Sequence, residues 1–353
     1  MRFNIGTQMT KRERVECALN LQWPDRVPVY DLLRNDAAIE YYSGDQLTVE
    51  DGLRVTCKAI GHCLDMTRSI TGPSNPDTVH SSDGFVHRRL RWTGWIEERP
   101  FREVDDLREW VKRDIANRQA WHPDAAYREE WRRHFLRLQG LVGDTVIVHT
   151  ESGVGIDYAF HIAGLELFVY LCADDPGLVS EWLEAVFQSE LRRTHCIADQ
   201  ELSPVVLTFG DIAYKGTTIF SPDFLRREFF LRLQLLNDAW HEHGIKCLFH
   251  SDGYLMEVMP DLIEAGIDGL NPIERLAGMD LNELKSLYGD RLFFAGGIDV
   301  SQLMAYGTPD QVRQACREAI ETTAPGYFLG STTELHNALP GANIIAMVES
   351  VRP

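Results

Sequence analysis

Short apolar runs recur at residues 26–30, 64–70, 145–150, 205–210, 246–250, 269–272, 292–296 and 327–330, and each reads as a buried strand. Helical patterns with defined ends fill most of the intervals. Ser221-Pro222-Asp223 has the form of an N-cap with proline at the first helical position, opening a long helix that runs to Gly244. Thr308-Pro309-Asp310-Gln311 adds a capping box, Asp175-Pro176 opens a helix through about Gln200, and a further helix fits between 254 and 265. Strands alternating with helices predict parallel strands joined by crossover helices, and eight is the number a closed parallel barrel requires.

One segment breaks this alternation. Residues 71–102, with DGFVHRRLRWTGWIEERPF at their centre, read as a hairpin or excursion turning at Gly84 and Gly94, followed by helices near 104–117 and 122–139. An insertion this long in a barrel either sits over the mouth as a lid or decorates the outside as an interface. Neither an internal repeat nor a low-complexity linker divides the chain, so a single domain over 1–353 is expected.

Composition narrows the function more than the fold. The formal charge of −18 argues against nucleic acid, because phosphate binding needs clustered Lys and Arg, and the Arg-rich stretches 87–91 and 128–133 read as solvated faces. Apolar runs long enough to span a membrane are missing, and the opening MRFNIGTQMTKRERVECALN lacks the core of a secretory signal, so a cytoplasmic location is expected. Seven scattered cysteines without a C-x-x-C pair are expected to be free thiols. Phosphate-loop, dinucleotide-binding and serine-hydrolase signatures do not occur.

In an eight-stranded barrel the chemistry lies at the C-terminal ends of the strands. Those exits are polar here: Glu151 and Ser152 after the third strand, Asp211 after the fourth, His250 and Asp252 after the fifth, Asn271 and Glu274 after the sixth. Asp299 follows the seventh, and Ser331, Glu334 and His336 follow the eighth. Side chains at i and i+2 of an extended chain point the same way, so His250 and Asp252 form half of a metal site or an acid/base pair. Imidazole and carboxylates with an open position suit a catalytic zinc ion. Without a metal, the same acids would have raised and split pKa values and handle protons directly. Asp211 and Asp299 also stand where acids cap helices, His241 and His243 fall near a helix C-terminus, and His149 reads as core.

These residues together resemble the uroporphyrinogen decarboxylase superfamily, which includes cobalamin-dependent methyltransferases. The resemblance runs through 9–15 and 24–29, Gly210-Asp211, 220–224, 243–246, His250-Ser251-Asp252-Gly253, 294–299 and 340–347, leaving out 71–140. It implies a TIM-like (β/α)8 barrel with the inserted hairpin and helical segment near the mouth. Decarboxylases of the superfamily carry Arg-Gln-Ala-Gly-Arg after the first strand, whose arginines meet substrate carboxylates. Here Tyr30-Asp31-Leu32-Leu33-Arg34-Asn35-Asp36 offers one arginine and two acids, which disfavours a polycarboxylate tetrapyrrole. The thiol-methylating branch holds zinc with His-x-Cys and a later Cys, whereas this chain has His250 and Asp252, then Ser331, Thr332 and Thr333.

With an oxygen-rich site, the resemblance implies a corrinoid-dependent methyltransferase acting on a small methyl ether, aromatic ethers included, with the corrinoid on a separate protein. His250, Asp252 and Glu334 are then the expected metal ligands, with zinc as the metal. Asp211, Glu151 and His336 are the expected catalytic groups, and Asn271, Asp299 and Ser331 the substrate contacts. A cofactor-free decarboxylase, and a barrel that binds a ligand or corrinoid protein without turnover, are the alternatives; a homodimer is left open.

Overall fold

The computed structural model describes residues 8–352. Its centre is an eight-stranded parallel barrel, and all eight predicted apolar runs contribute a strand. We number them β1 (residues 29 and 30), β2 (Met66–Thr67), β3 (Val146–Ile147 continued by Glu151–Gly153), β4 (Val205–Phe209), β5 (Lys246–His250), β6 (Gly269–Asn271), β7 (Phe293–Ile298) and β8 (Tyr327–Ser331). Strands β3 to β8 form one parallel sheet in sequence order. The ring closes through β1: Tyr30 N donates to Leu329 O at 2.9 Å on one side, and Asp65 N donates to Val29 O at 2.9 Å on the other. From β2 the ladder passes to β3, where Val146 N donates to Asp65 O and Val148 N to Thr67 O.

Alternation along the strands sorts the side chains into an inside and an outside. Tyr30, Met66, Val146, Val148, Val205, Leu207, Leu248, Phe293, Ala295 and Phe328 make one buried cluster, the barrel's interior. The N-terminal helix Lys11–Leu19 closes the bottom with Val15, Ala18 and Leu19, which join the same cluster. Neighbours such as Val206, Cys247, Phe249, Leu270 and Phe294 face the surrounding helices and belong to the larger outer core.

The helix signals read from sequence appear largely as expected. Thr308 and Gln311 exchange both bonds of a capping box at the start of Pro309–Thr323, and Asp175 accepts from Leu178 N to open Pro176–Ile197. Ser221 caps Pro222–Leu225, but the long helix to Gly244 is interrupted by a π-helical turn at Arg226–Phe230 and ends at His241. The helix expected over 254–265 shrinks to Met259–Glu264.

The excursion is a three-stranded antiparallel sheet, Asp77–His80, Val86–Arg89 and Gly94–Glu98, followed by helices Val104–Ala120 and Ala125–Val142. Gly84 takes φ +91° in its first turn, whereas Gly94 begins the third strand. Asp36, just beyond β1, accepts from Arg91 Nε at 2.7 Å and from Trp92 Nε1 at 2.8 Å, tying the excursion to the upper rim of the barrel. No single helix among the described residues is long and apolar enough to cross a membrane.

Candidate active site

At the top of the barrel the interior stops being apolar. The inward positions that follow Met66 on β2, Leu207 and Phe209 on β4, Leu248 on β5 and Gly269 on β6 are Arg68, Asp211, His250 and Asn271. Strand β3 joins them through an irregularity. His149 packs outward, stacked 4.7 Å from the Trp131 ring, and Thr150 also turns outward, accepting from Arg193 at 2.7 Å. Two consecutive outward residues shift the alternation by one, as a β-bulge does, so that Glu151 faces the mouth and Ser152 turns out to Glu190.

His250 is fixed through its neighbour. Asn271 Nδ2 donates to Ala295 O at 3.0 Å, which orients the amide and leaves its Oδ1 as acceptor for His250 Nδ1 at 2.6 Å. Nδ1 therefore carries the proton and Nε2 keeps a lone pair. Burial, with Arg68 nearby, holds the imidazole below its usual pKa, against the pull of Asp211. That lone pair faces Asp211 Oδ1 across 3.8 Å. Asp252 N in turn donates to the same Asp211 oxygen at 3.3 Å.

Asp252 lies just beyond the strand, which ends at His250. The chain turns sharply at Gly253, where φ is +92° and any Cβ would sit 2.5 Å from the backbone of Ala213 and Tyr214, so only glycine fits. Asp252 Oδ1 is buried and makes no hydrogen bond. Burial, then Asp211 and Glu274, push this carboxyl up to about 7. Asp157 behaves similarly from outside the ring. One of its oxygens accepts from Asp211 N, the other is buried without a partner, and burial followed by the Asp211 charge raises it to about 7.

A carboxyl whose folded pKa lies above its unfolded value binds an extra proton in the folded state, so its contribution to stability falls as pH rises from about 4 to 7. Replacing Asp157 by Asn keeps the acceptor for Asp211 N and removes the charge. We expect Asp157→Asn to melt higher than wild type at pH 8, by on the order of a few kcal/mol at the limit of about 1.4 kcal/mol per pKa unit, with the difference shrinking as pH falls and vanishing near pH 4. Equal melting temperatures at pH 8 would contradict a buried, proton-retaining carboxyl.

Several residues singled out from the sequence have other duties. Glu334 pairs with Arg34 at 2.7 Å, across the short parallel pairing of Leu33–Arg34 with Leu335–His336, and His336 belongs to that same pairing. Among the described residues the only three His, Cys, Asp or Glu groups with ligand atoms within 4.8 Å of one another are His241, Cys247 and Asp268, so the trio His250, Asp252 and Glu334 is not assembled. Asp299 accepts from the backbone N–H groups of Ser301, Gln302 and Leu303, at 3.2, 2.8 and 2.9 Å, and caps the turn that follows β7. Ser331 gives both its N–H and its hydroxyl to Asp31, at 2.7 and 3.0 Å, and Asn271 is taken up by His250. Glu151 is paired with Arg68 Nη1 at 2.6 Å and also accepts from Ser69 Oγ. Against burial, those two partners hold it below its usual range.

Sequence reading missed Arg68, Asp157 and the buried Asp31, whose carboxyl burial raises to about 7 despite three donors. Only the i+2 spacing from inward Met66 could have flagged Arg68. The cluster of His241, Cys247 and Asp268 lies at the opposite end of β5. There Asp268 is already bound by His241 at 2.7 Å, Lys246 at 2.8 Å and Cys247 N at 2.8 Å, while burial raises the thiol well above its usual pKa.

Residues 168–353, more than half of the chain, match the family model described as uroporphyrinogen decarboxylase (URO-D). The chain belongs to the uroporphyrinogen decarboxylase family. Within the family's fold it is similar to a solved methyltransferase from Methanosarcina mazei, with a TM-score of 0.69 at 15% identity, over 97% of this chain and 98% of that one. No curated protein sequence matches the chain. The family match contains His250, Asp252, Asn271 and Asp211, whereas Arg68 and Glu151 precede it.

Proposed function

We propose that the chain is a methyltransferase that takes a methyl group from a small O-methylated donor and delivers it to a corrinoid carried by a separate protein. A divalent cation, zinc by the chemistry of its donors, would be held by His250 and Asp211; Asp252 stands beside them without completing a three-ligand cluster within 4.8 Å. The observation that carries this reading is the His250 Nε2 position, left without a hydrogen-bond partner by the Nδ1 bond to Asn271, facing Asp211 Oδ1 at 3.8 Å. Two lone-pair donors held face to face without a proton between them repel, and two ligands of one zinc ion, each about 2.0–2.2 Å from it, can be up to about 4 Å apart. Carboxylate oxygens and one imidazole, without thiolate, are a set that zinc accepts.

When bound, the cation would polarise the donor's ether oxygen and ease departure of the alkoxide or phenoxide. The chain's own residues set the conditions for that. Asn271 locks the His250 tautomer and ring plane, a support that metal-binding histidines commonly require. Asp157 holds a proton beside Asp211 near neutrality, which limits the repulsion in the cluster. Decarboxylation of a polycarboxylate is the weaker reading, since Arg34 and Arg68, the arginines following β1 and β2, are each bound to a glutamate. The fold likeness to a methyltransferase is in keeping with the proposal.

Incubation with a reduced corrinoid and a panel of uncharged aromatic and aliphatic methyl ethers tests it. Demethylated product is expected for at least one donor and is expected to vanish after chelation. Absence of product across the panel, or turnover indifferent to chelator, would contradict the reading.

A further inference from the structure

Among the inward strand-exit residues Arg68, Glu151, Asp211, His250 and Asn271, Arg68 supplies the guanidinium, and it is not free. Its Nη1 lies 2.6 Å from Glu151 Oε1, and the two side chains are 14% and 35% exposed. Ser69 donates to the same glutamate oxygen, so the carboxylate is held from two sides. The bulge in β3 places Glu151 there: without the extra outward residue, Thr150 would face Arg68 and the guanidinium would open onto the mouth. The neighbouring groups are His250 and the acids Asp252 and Asp211.

We infer that Glu151 determines specificity by occupying Arg68, so that the mouth refuses donors carrying a carboxylate and takes uncharged ones. An anion entering this ring meets carboxyl groups and a guanidinium whose charge is already matched. It would have to break a charge-assisted pair to gain one of its own, a net exchange without benefit. An uncharged ether carries no such cost. This deepens the methyltransferase reading by naming the substrate class, and it rests on that reading for the identity of the reaction, though not for the preference in binding.

Binding of a matched pair, 4-methoxybenzyl alcohol and 4-methoxybenzoate, measured by ligand-observed NMR on the protein as purified, tests the inference apart from turnover. Wild type is expected to bind the alcohol at least about tenfold more tightly than the benzoate. Glu151→Gln leaves a carbonyl for Arg68 and Ser69 but frees the positive charge, and is expected to reverse that order, with benzoate affinity rising about tenfold or more. Adding Arg68→Gln to that variant should remove the gain, which separates a freed guanidinium from general loosening. Tighter binding of benzoate by wild type, or an unchanged order in Glu151→Gln, would overturn the inference. Loss of demethylation with the binding preference intact would instead count against the methyltransferase reading alone.

Discussion

Replacing His250 by Ala is expected to lower methyl transfer by about three orders of magnitude or more and to release the bound cation in the same step. The imidazole supplies the nitrogen donor of the proposed pair, and its loss leaves Asp211 as the remaining ligand, its Oδ1 already accepting from Asp252 N at 3.3 Å. Asn271→Ala keeps the imidazole but frees its ring, since the Nδ1 bond at 2.6 Å is lost. A fall of about 10- to 100-fold in cation affinity is expected there, the usual cost of losing a partner that orients a ligand. Turnover and metal content measured together on both variants check the order. Full activity in His250→Ala with metal retained would place the chemistry elsewhere in the barrel.

The largest effect on stability is expected at the other end of the molecule. Asp65 is fully buried where β1 meets β2. It binds Arg14 Nη1 at 2.7 Å, Arg26 Nη1 and Nη2 at 2.7 and 2.9 Å, and Val29 N at 2.9 Å. One carboxylate thus joins the bottom-closing helix, the strand β1 and the seam that completes the ring. Arg14 keeps Asp25 as a second partner at 2.6 Å, whereas Arg26 loses its carboxylate and keeps only the Val27 carbonyl at 3.1 Å, and the Val29 amide loses its partner. Breaking a buried pair leaves an uncompensated charge, and Asp65→Ala is expected to cost on the order of 3–5 kcal/mol in urea unfolding. A cost below about 1 kcal/mol would mean that the seam is held by its backbone ladder alone.

The barrel was legible because its strands are short apolar runs ended by glycine or proline, as in Lys246–His250 before Ser251 and Gly253, with capped helices between them. Burial on both faces makes such runs visible without a partner strand. The site was legible only in part. His250 and Asp211 stand at regular strand exits, where alternation predicts their direction, and the structure brings them together. Asp252 was read as aligned with His250 by strand geometry, yet it lies past the strand end and reaches the cluster through the turn at Gly253.

Other roles could not be read from spacing at all. Glu334 and Ser331 are claimed by Arg34 and Asp31, each 300 positions away in sequence. Glu151 meets Arg68 across 83 positions and only because of a one-residue irregularity in β3. Exposed-looking acids are ambiguous in the same way: Asp299 has the composition of a ligand and the geometry of a cap. Long-range ion pairs decide which polar exits stay free for chemistry, and a single sequence does not encode them as a local pattern.

X-ray absorption at the zinc edge of the metal-loaded protein examines the proposed centre most directly, because it reports the atoms around the ion. With His250 and Asp211 as ligands, the spectrum should contain only nitrogen and oxygen neighbours near 2.0–2.2 Å, including one imidazole. A sulfur shell near 2.3 Å would instead place the ion with Cys247, His241 and Asp268 at the barrel's far end, and would contradict the account.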